Sequence, residues 1–262
     1  MGSIRNYRLT VSYDGTRYLG WQRQSGRDAD RTIQGKLEAV LTKLTGEPAE
    51  VHGSGRTDAG VHALGQVASF RTAFDTTPEE LAAYLNRYLP EDIAVTDVRP
   101  APERFHARLN ARGKTYRYTI RNSAVPDVFR QRFEYLFPEP LDVERMQTGA
   151  VHFCGTHDFR PLSGARRTKK STVRTLHAID IRRDGDLITL DFTGTGFLYN
   201  MVRILTGTLI EVGAGRRDPE DIPALFQAES RAAAGYTAPA RGLCLMTVDY
   251  GGSHLANAPE KE

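Results

Sequence analysis

Two hydrophobic periodicities alternate along this chain, and their order limits the fold more than any other feature. Residues 7–13 place Tyr7, Leu9, Val11 and Tyr13 on one face and stop at Asp14-Gly15. A period of two predicts a strand with one buried side. Thr32 then stands as an N-cap before Ile33, Leu37, Val40, Leu41 and Leu44, a stripe of helical period that Gly46 closes. Two short extended pieces follow, near 49–54 and 66–72. Thr77-Pro78-Glu79-Glu80 is a capping box with proline at the first helical position, so a second helix starts there and ends near Pro90. DIAVTDV, residues 92–98, closes this half as a strand. The order is β-α-β-β-α-β.

The second half repeats that order. Residues 114–121 form a strand with Tyr116, Tyr118 and Ile120 on one face and Arg117, Thr119 and Arg121 on the other. An amphipathic helix over 141–153 ends at Gly155, and strands at 173–182 and 187–193 flank Asp184-Gly185, a hairpin signal. Helices over 197–212 and 219–227, the latter introduced by Asp218-Pro219, precede the closing strand GLCLMTVDY. The expected fold class is α+β: two tandem ferredoxin-like, RNA-recognition-like lobes with mainly antiparallel sheets. The expected boundaries are 1–108 for the first lobe, 109–250 for the second and 251–262 for a disordered tail.

With 262 residues the chain holds one large domain or two modest ones. No apolar run approaches a membrane span, and the start, MGSIRNYRLTVSYDG, has no signal-peptide stretch. Asn6 also stands where a myristoylation signal needs Ser or Thr. Cys154 and Cys244, far apart and in apolar surroundings, read as small buried hydrophobes of a reduced compartment. The expected location is the cytoplasm, with no membrane. A net charge of +3 says little, but RGKTYRYTIR, GARRTKKSTVR and GAGRRD concentrate arginine, whose planar fork matches phosphate oxygens. Any one cluster reads equally well as a solvated face. Several beside aromatic β-segments favour nucleic acid.

No CxxC, HExxH or paired His/Cys spacing occurs, and His52, His62 and His106 lack partners at ligand spacing, so no metal is expected. Phosphate-binding loops, dinucleotide fingerprints and a serine nucleophile elbow are also missing, so no cofactor is expected and any chemistry uses ordinary side chains. One carboxylate then draws interest. In GSGRTDAGVHALGQVASF, residues 53–70, Asp58 sits among glycines with Arg56 two residues before it. The plain alternative is a surface turn.

GRTDAGVHALGQ, KTYRY and TGTGFLYNMVR, in this order and at these distances, resemble the tRNA pseudouridine synthase A family. The likeness continues through VSYDGTRYLGWQRQ, LNRYLPEDIAV, FHAR, HDF and VRILTGTLIEVGAGR, from about Tyr7 to Tyr250. It implies an isomerase that turns uridine into pseudouridine in the anticodon stem-loop of tRNA, without cofactor. It further implies a homodimer of two-lobed subunits whose sheets face a central cleft. By the same resemblance Asp58 matches the catalytic aspartate, and Tyr116 the tyrosine that stacks on the target base. Arg203 of NMVR matches the arginine that pairs with the aspartate, and Arg56 the loop arginine that helps hold the flipped nucleotide. Two stretches depart from the pattern: QRQSGRDADR, 22–31, is long, and DFRPLSGARR lacks the aromatic expected after Asp-Phe-x-x.

The residue types fit that chemistry. The reaction breaks the glycosidic bond, turns the uracil and bonds C5 to the sugar. A carboxylate serves as nucleophile at C1′ or C6, or as the base that takes a ribose proton. One aspartate suffices because no water attacks, unlike glycoside hydrolysis. An adjacent arginine keeps it ionised, a tyrosine gives an extruded base a stacking face, and glycines let backbone and base approach around Asp58. Spacing alone favours Tyr116 as a core aromatic and leaves Arg203 open to reading as a surface helix charge, although Met201, Val202 and Leu205 surround the latter. A non-catalytic RNA-binding module would have no use for Asp58. A metal-assisted nuclease would need several converging acids where these motifs supply one.

Overall fold

Side-chain alternation over the first strand carries through to its packing. In the computed structural model, which describes residues 4–164, 170–228 and 230–251, β1 (Arg5–Tyr13) buries Tyr7, Leu9, Val11 and Tyr13. After it come α1 (Ile33–Thr45), β2 (Val51–Gly53), β3 (His62–Thr72), α2 (Pro78–Tyr88) and β4 (Ile93–Ala101). The sheet runs β4-β1-β3 with β2 on β3, every pairing antiparallel. The Thr32 hydroxyl accepts from Gly35 N and Gly46 takes the left-handed conformation, so α1 begins and ends where its caps dictate. Both halves of the Thr77–Glu80 capping box form at the head of α2. Ile33, Leu37 and Leu41 of α1 and Leu81 and Leu85 of α2 are fully buried.

Strand β3 starts at His62, four residues earlier than its sequence suggests. Gln66, Val67, Ala68, Ser69 and Phe70 are all buried, so both faces are covered and period-two alternation vanishes.

The remaining elements are β5 (Gly113–Arg121), β6 (Tyr135–Leu136), α3 (Val143–Val151), β7 (Gly155–Asp158), β8 (Val173–Asp184), β9 (Leu187–Gly194), α4 (Met201–Gly213), α5 (Ile222–Leu225) and β10 (Leu243–Asp249). Their sheet runs β5-β9-β8-β7, antiparallel, with β6 parallel to β5. Tyr116, Tyr118 and Ile120 stand opposite Phe192, Leu190 and Ile188. The class is α+β with mostly antiparallel pairing and five α-helices among the described residues.

Three readings need correction. The helix expected from 197 starts at Met201, because Asn200 holds φ +58° and breaks the helical path. The helix expected over 219–227 is a 3₁₀ turn, Pro219–Asp221, followed by the four-residue α5, since Pro219 and Pro223 each remove a donor. Cys154 and Cys244 are outside any disulfide, but both are half-buried rather than buried.

The chain divides into two compact units, one joining Met1–Arg112 to Leu245–Glu262 and the other spanning Gly113–Cys244. The late residues are tightly held in the first unit. Tyr250 shares a buried cluster with Val67, Phe105 and Ala107, and its hydroxyl donates to Ala107 O at 2.7 Å. A Cβ on Gly65 would lie 2.2 Å from Met246 O, so only glycine allows that approach. No helix among the described residues is long and apolar enough to cross a membrane. The tail expected to be disordered lies outside the described residues from position 252 onward.

Candidate active site

Asp58 belongs to the first unit, on the 54–61 loop between β2 and β3. Val61 N donates to Asp58 O at 3.1 Å, closing a tight turn in which Gly60 takes φ +77°. A side chain at Gly60 would strain that turn. Asp58 is half-buried, Thr57 is buried, and Arg56 and Ala59 are exposed.

A buried polar network underlies this turn. Ser54 Oγ donates to Gln66 Oε1 at 2.7 Å, and Gln66 Nε2 donates to Gly55 O at 3.1 Å. The Tyr13 and Thr57 hydroxyls are bonded at 2.8 Å. Ser54, Thr57 and Gln66 are all buried, where an unmatched polar group is costly, so the network fixes the loop backbone.

The segment after β1 closes on the loop from another side. Trp21 N donates to Thr57 O at 3.0 Å, and Gly60 N to Tyr18 O at 3.4 Å. Gly20 has φ +97°, and a Cβ there would lie 2.5 Å from Thr57 O. Gly53 meets the Trp21 ring so closely that a Cβ would come within 2.4 Å. Gly53 thus admits the tryptophan ring.

Arg56 is positioned by a chain of amides. Its Nε donates to Gln22 Oε1 at 3.1 Å, Gln22 Nε2 to Gln34 Oε1 at 2.8 Å, and Gln34 Nε2 to Glu38 Oε1 at 2.9 Å. The other Glu38 oxygen accepts from Arg23 at 3.0 Å. The long 22–31 stretch thus contributes Gln22 and Arg23 to this chain before it coils into a 3₁₀ segment, Gly26–Arg31.

Tyr116 and Arg203 lie in the second unit. Tyr116 is 7% exposed and meets Phe197 edge to face at 5.2 Å. Its neighbour Tyr118 is fully buried, and its hydroxyl donates to Pro239 O at 2.7 Å. Burial pushes the Tyr118 phenol well above its ordinary pKa, so it stays protonated. Arg203 occupies the first turn of α4 and is half-buried. Its Nε donates to Ala238 O at 2.6 Å and its NH1 to Asn200 Oδ1 at 2.9 Å. The second bond holds Asn200 in the left-handed region, which short polar side chains tolerate best. Gly207 lets the 235–238 segment lie directly on α4, since a Cβ would meet Tyr236 O at 1.9 Å.

Sequence reasoning named the four site residues but missed their supports, Gln66, Tyr13, Thr57, Gln22 and Ala238. The available signal was Gln66, a glutamine inside an otherwise mostly apolar β-run. The atypical stretch after His157 opens in an aromatic core: Phe159 is fully buried and His157 stacks on Phe226 at 4.2 Å. Of the basic run Arg166, Arg167, Lys169 and Lys170, the first three lie outside the described residues. Among the described residues, no group of three or more His, Cys, Asp and Glu is arranged to hold a metal ion.

The family model described as tRNA pseudouridine synthase matches residues 9–110 and 150–251. The tRNA pseudouridine synthase A of Bacillus sp. strain KSM-64 is 44% identical over 247 residues, covering 94% of this chain and 100% of its own. Proteins of the same name from Geotalea uraniireducens and Acetivibrio thermocellus are 44% and 42% identical over the same shares. A chain from the crystal structure of a Cbf5-Nop10-Gar1 complex aligns with 91% of this chain and 48% of its own, at TM-score 0.37 and 13% identity, too slight a likeness to carry fold or function. Matched over nearly its whole length, the chain belongs to the tRNA pseudouridine synthase family, isomerases that act on tRNA uridine.

Proposed function

We propose that the protein converts uridine to pseudouridine in the anticodon stem-loop of tRNA with Asp58 as its one catalytic carboxylate. The observation that carries this reading is the Asp58 turn: a half-buried acid on a backbone gripped by Gln66, Trp21 and Tyr18. Such rigidity is what a reacting group needs, because misplacement near 1 Å costs about 100-fold in rate.

In this reading the target nucleotide leaves its stack and its base lies on Tyr116. Asp58 acts at C1′, at C6 or on a ribose proton while the N1–C1′ bond breaks and C5 bonds to C1′. The proton then leaves C5 and N1 gains one, so the product is an isomer. The Tyr116 hydroxyl assists that late proton removal. Arg203 pairs with Asp58 and keeps it ionised, and Arg56 holds the flipped nucleotide. The basic run from Arg166 to Lys170 contributes phosphate contacts. The protein acts as a homodimer of subunits that each carry two ferredoxin-like lobes. The antiparallel order β4-β1-β3 with β2 on β3 supports that description of the first lobe.

The test is to map modified positions in bulk tRNA treated with wild type and Asp58→Asn. The expected result is pseudouridine confined to the anticodon arm for wild type. Asp58→Asn should show none, with tRNA affinity kept within a few-fold. Appreciable turnover by Asp58→Asn would sink the assignment.

A further inference from the structure

Arg174 is the second residue of β8 and differs from three other arginines of its unit. Arg117, Arg121 and Arg217 each contact a carboxylate, of Asp191, Glu134 and Glu211. Arg174 has no carboxylate partner among the described residues. Its NH1 instead donates to Ser171 O at 2.9 Å and Val173 O at 2.6 Å. Those two bonds hold the guanidinium against its own backbone and leave the Nε–NH2 edge, the edge that grips two oxygens of one phosphate, without a protein acceptor among the described residues. Half-burial makes the guanidinium less basic, and no acid among the described residues offsets the loss. An anion from outside the protein would supply that compensation.

The space beside this edge is open for a structural reason. Among the described residues, a Cβ built on Gly196 would meet only Arg174, in ordinary contact 3.8 Å from Nε and 4.0 Å from Cδ. Alanine would therefore fit there, and only a longer side chain would reach over the edge. Phe197, next in the chain, is the ring that meets Tyr116 at 5.2 Å. One short loop therefore borders Arg174 with its glycine and Tyr116 with its phenylalanine.

We infer that Arg174 is an RNA phosphate-binding residue whose Nε–NH2 edge takes a phosphodiester adjoining the nucleotide stacked on Tyr116. This rests on the proposed function for the identity of the ligand, an RNA strand. It adds a contact that fixes the backbone of the flipped nucleotide while Tyr116 fixes its base.

The test pairs protein variants with a chemical change in the RNA. Dissociation constants are measured over a salt series for wild type, Arg174→Gln and Arg174→Lys. The probe is a uridine-containing anticodon stem-loop, intact or with one neutral methylphosphonate linkage at each position around the target. Wild type should lose about tenfold at one linkage, the size of a charge-assisted hydrogen bond. Arg174→Gln should lose about the same with intact RNA, lose nothing more at that linkage, and show a log–log salt slope smaller by about 0.7. Arg174→Lys, a point charge without the fork, should keep the slope and respond less to that linkage. Thermal melts establish that each variant is folded. If Arg174→Gln does not fold, Arg174→Lys decides: a response equal to wild type at every linkage overturns the inference. So does a folded Arg174→Gln with unchanged affinity and slope, or one whose losses simply add to those of the neutral linkages. The readout is binding, so a wild type that binds the stem-loop but forms no pseudouridine refutes the proposed function while the cycle still decides Arg174.

Discussion

Replacing Gly20 by alanine tests whether the segment ahead of α1 sets the position of Asp58. A Cβ at Gly20 would lie 2.5 Å from Thr57 O and 3.1 Å from the Asp58 carbonyl carbon. An ordinary carbon–oxygen contact begins near 3.3 Å, so the loop has to retreat by about 0.8 Å. The positive φ adds about 1–2 kcal/mol for a residue with a side chain. The retreat also stretches the 3.0 Å bond from Trp21 N to Thr57 O, a loss of about 1 kcal/mol. Stability should therefore fall by about 2–3 kcal/mol. Turnover should fall about 100-fold, the usual cost of moving a reacting group by nearly 1 Å. Gly26 supplies the control, with φ +75° and no atom within 4 Å of its Cβ position. Gly26→Ala thus incurs backbone strain without touching the loop. The assay is steady-state pseudouridine formation on tRNA, run well below the melting temperature of each variant. A folded Gly20→Ala with wild-type kcat would refute the reasoning, and so would equal losses in the two variants.

Gln66→Leu should lower stability by about 1–3 kcal/mol or somewhat more in denaturant melts, because the buried Ser54 hydroxyl and the half-buried Gly55 carbonyl lose their partner; an unchanged melt would remove the network from its supporting role. Tyr116→Phe should bind tRNA normally yet turn over slowly, stalling after the glycosidic bond has rearranged. Tyr118→Phe should keep turnover and lose about 1–3 kcal/mol of stability as Pro239 O loses its donor; the reverse pattern would mean that the catalytic tyrosine is Tyr118. The Asp158 carboxyl is held below its ordinary pKa, first by the Thr172 hydroxyl and then by Arg160 N. A depressed pKa contributes stability above the unfolded value, near 3.9 for aspartate, and that contribution fades as pH falls through the folded value. Thr172→Val should therefore be less stable than wild type at neutral pH, with the gap narrowing below about pH 4; a gap independent of pH would assign the loss to packing alone.

The parts of the fold legible in the sequence are those fixed by local chemistry. Thr32, Gly46 and the Thr77–Glu80 box mark helix ends through bonds within a few residues, and the structure keeps them. The start of α4 is different in kind. It depends on Asn200 at positive φ, held by Arg203, and no periodic pattern announces such a bond. Strand β3 hides its early residues because burial on both faces erases the alternation that marks a strand. The candidate site divides the same way. Asp58, Arg56, Tyr116 and Arg203 stand out through motifs, whereas Gln66 and Ala238 gain meaning only from contacts across 11 and 35 positions.

The late residues in the first unit have a consequence for how the chain is made. Synthesis delivers residues through Arg112 early, but Leu245 onward, with Met246 against Gly65 and Tyr250 beside Phe105, come last. At about 5–20 residues per second, the intervening stretch of roughly 130 residues takes on the order of 10 s to emerge. Throughout that interval β3, the strand that carries Gln66, lacks β10, its neighbour in the finished sheet. An open strand edge invites pairing with other chains. The unit bearing Asp58 is thus begun first and sealed last, with that edge of β3 open while the second unit is still being synthesised.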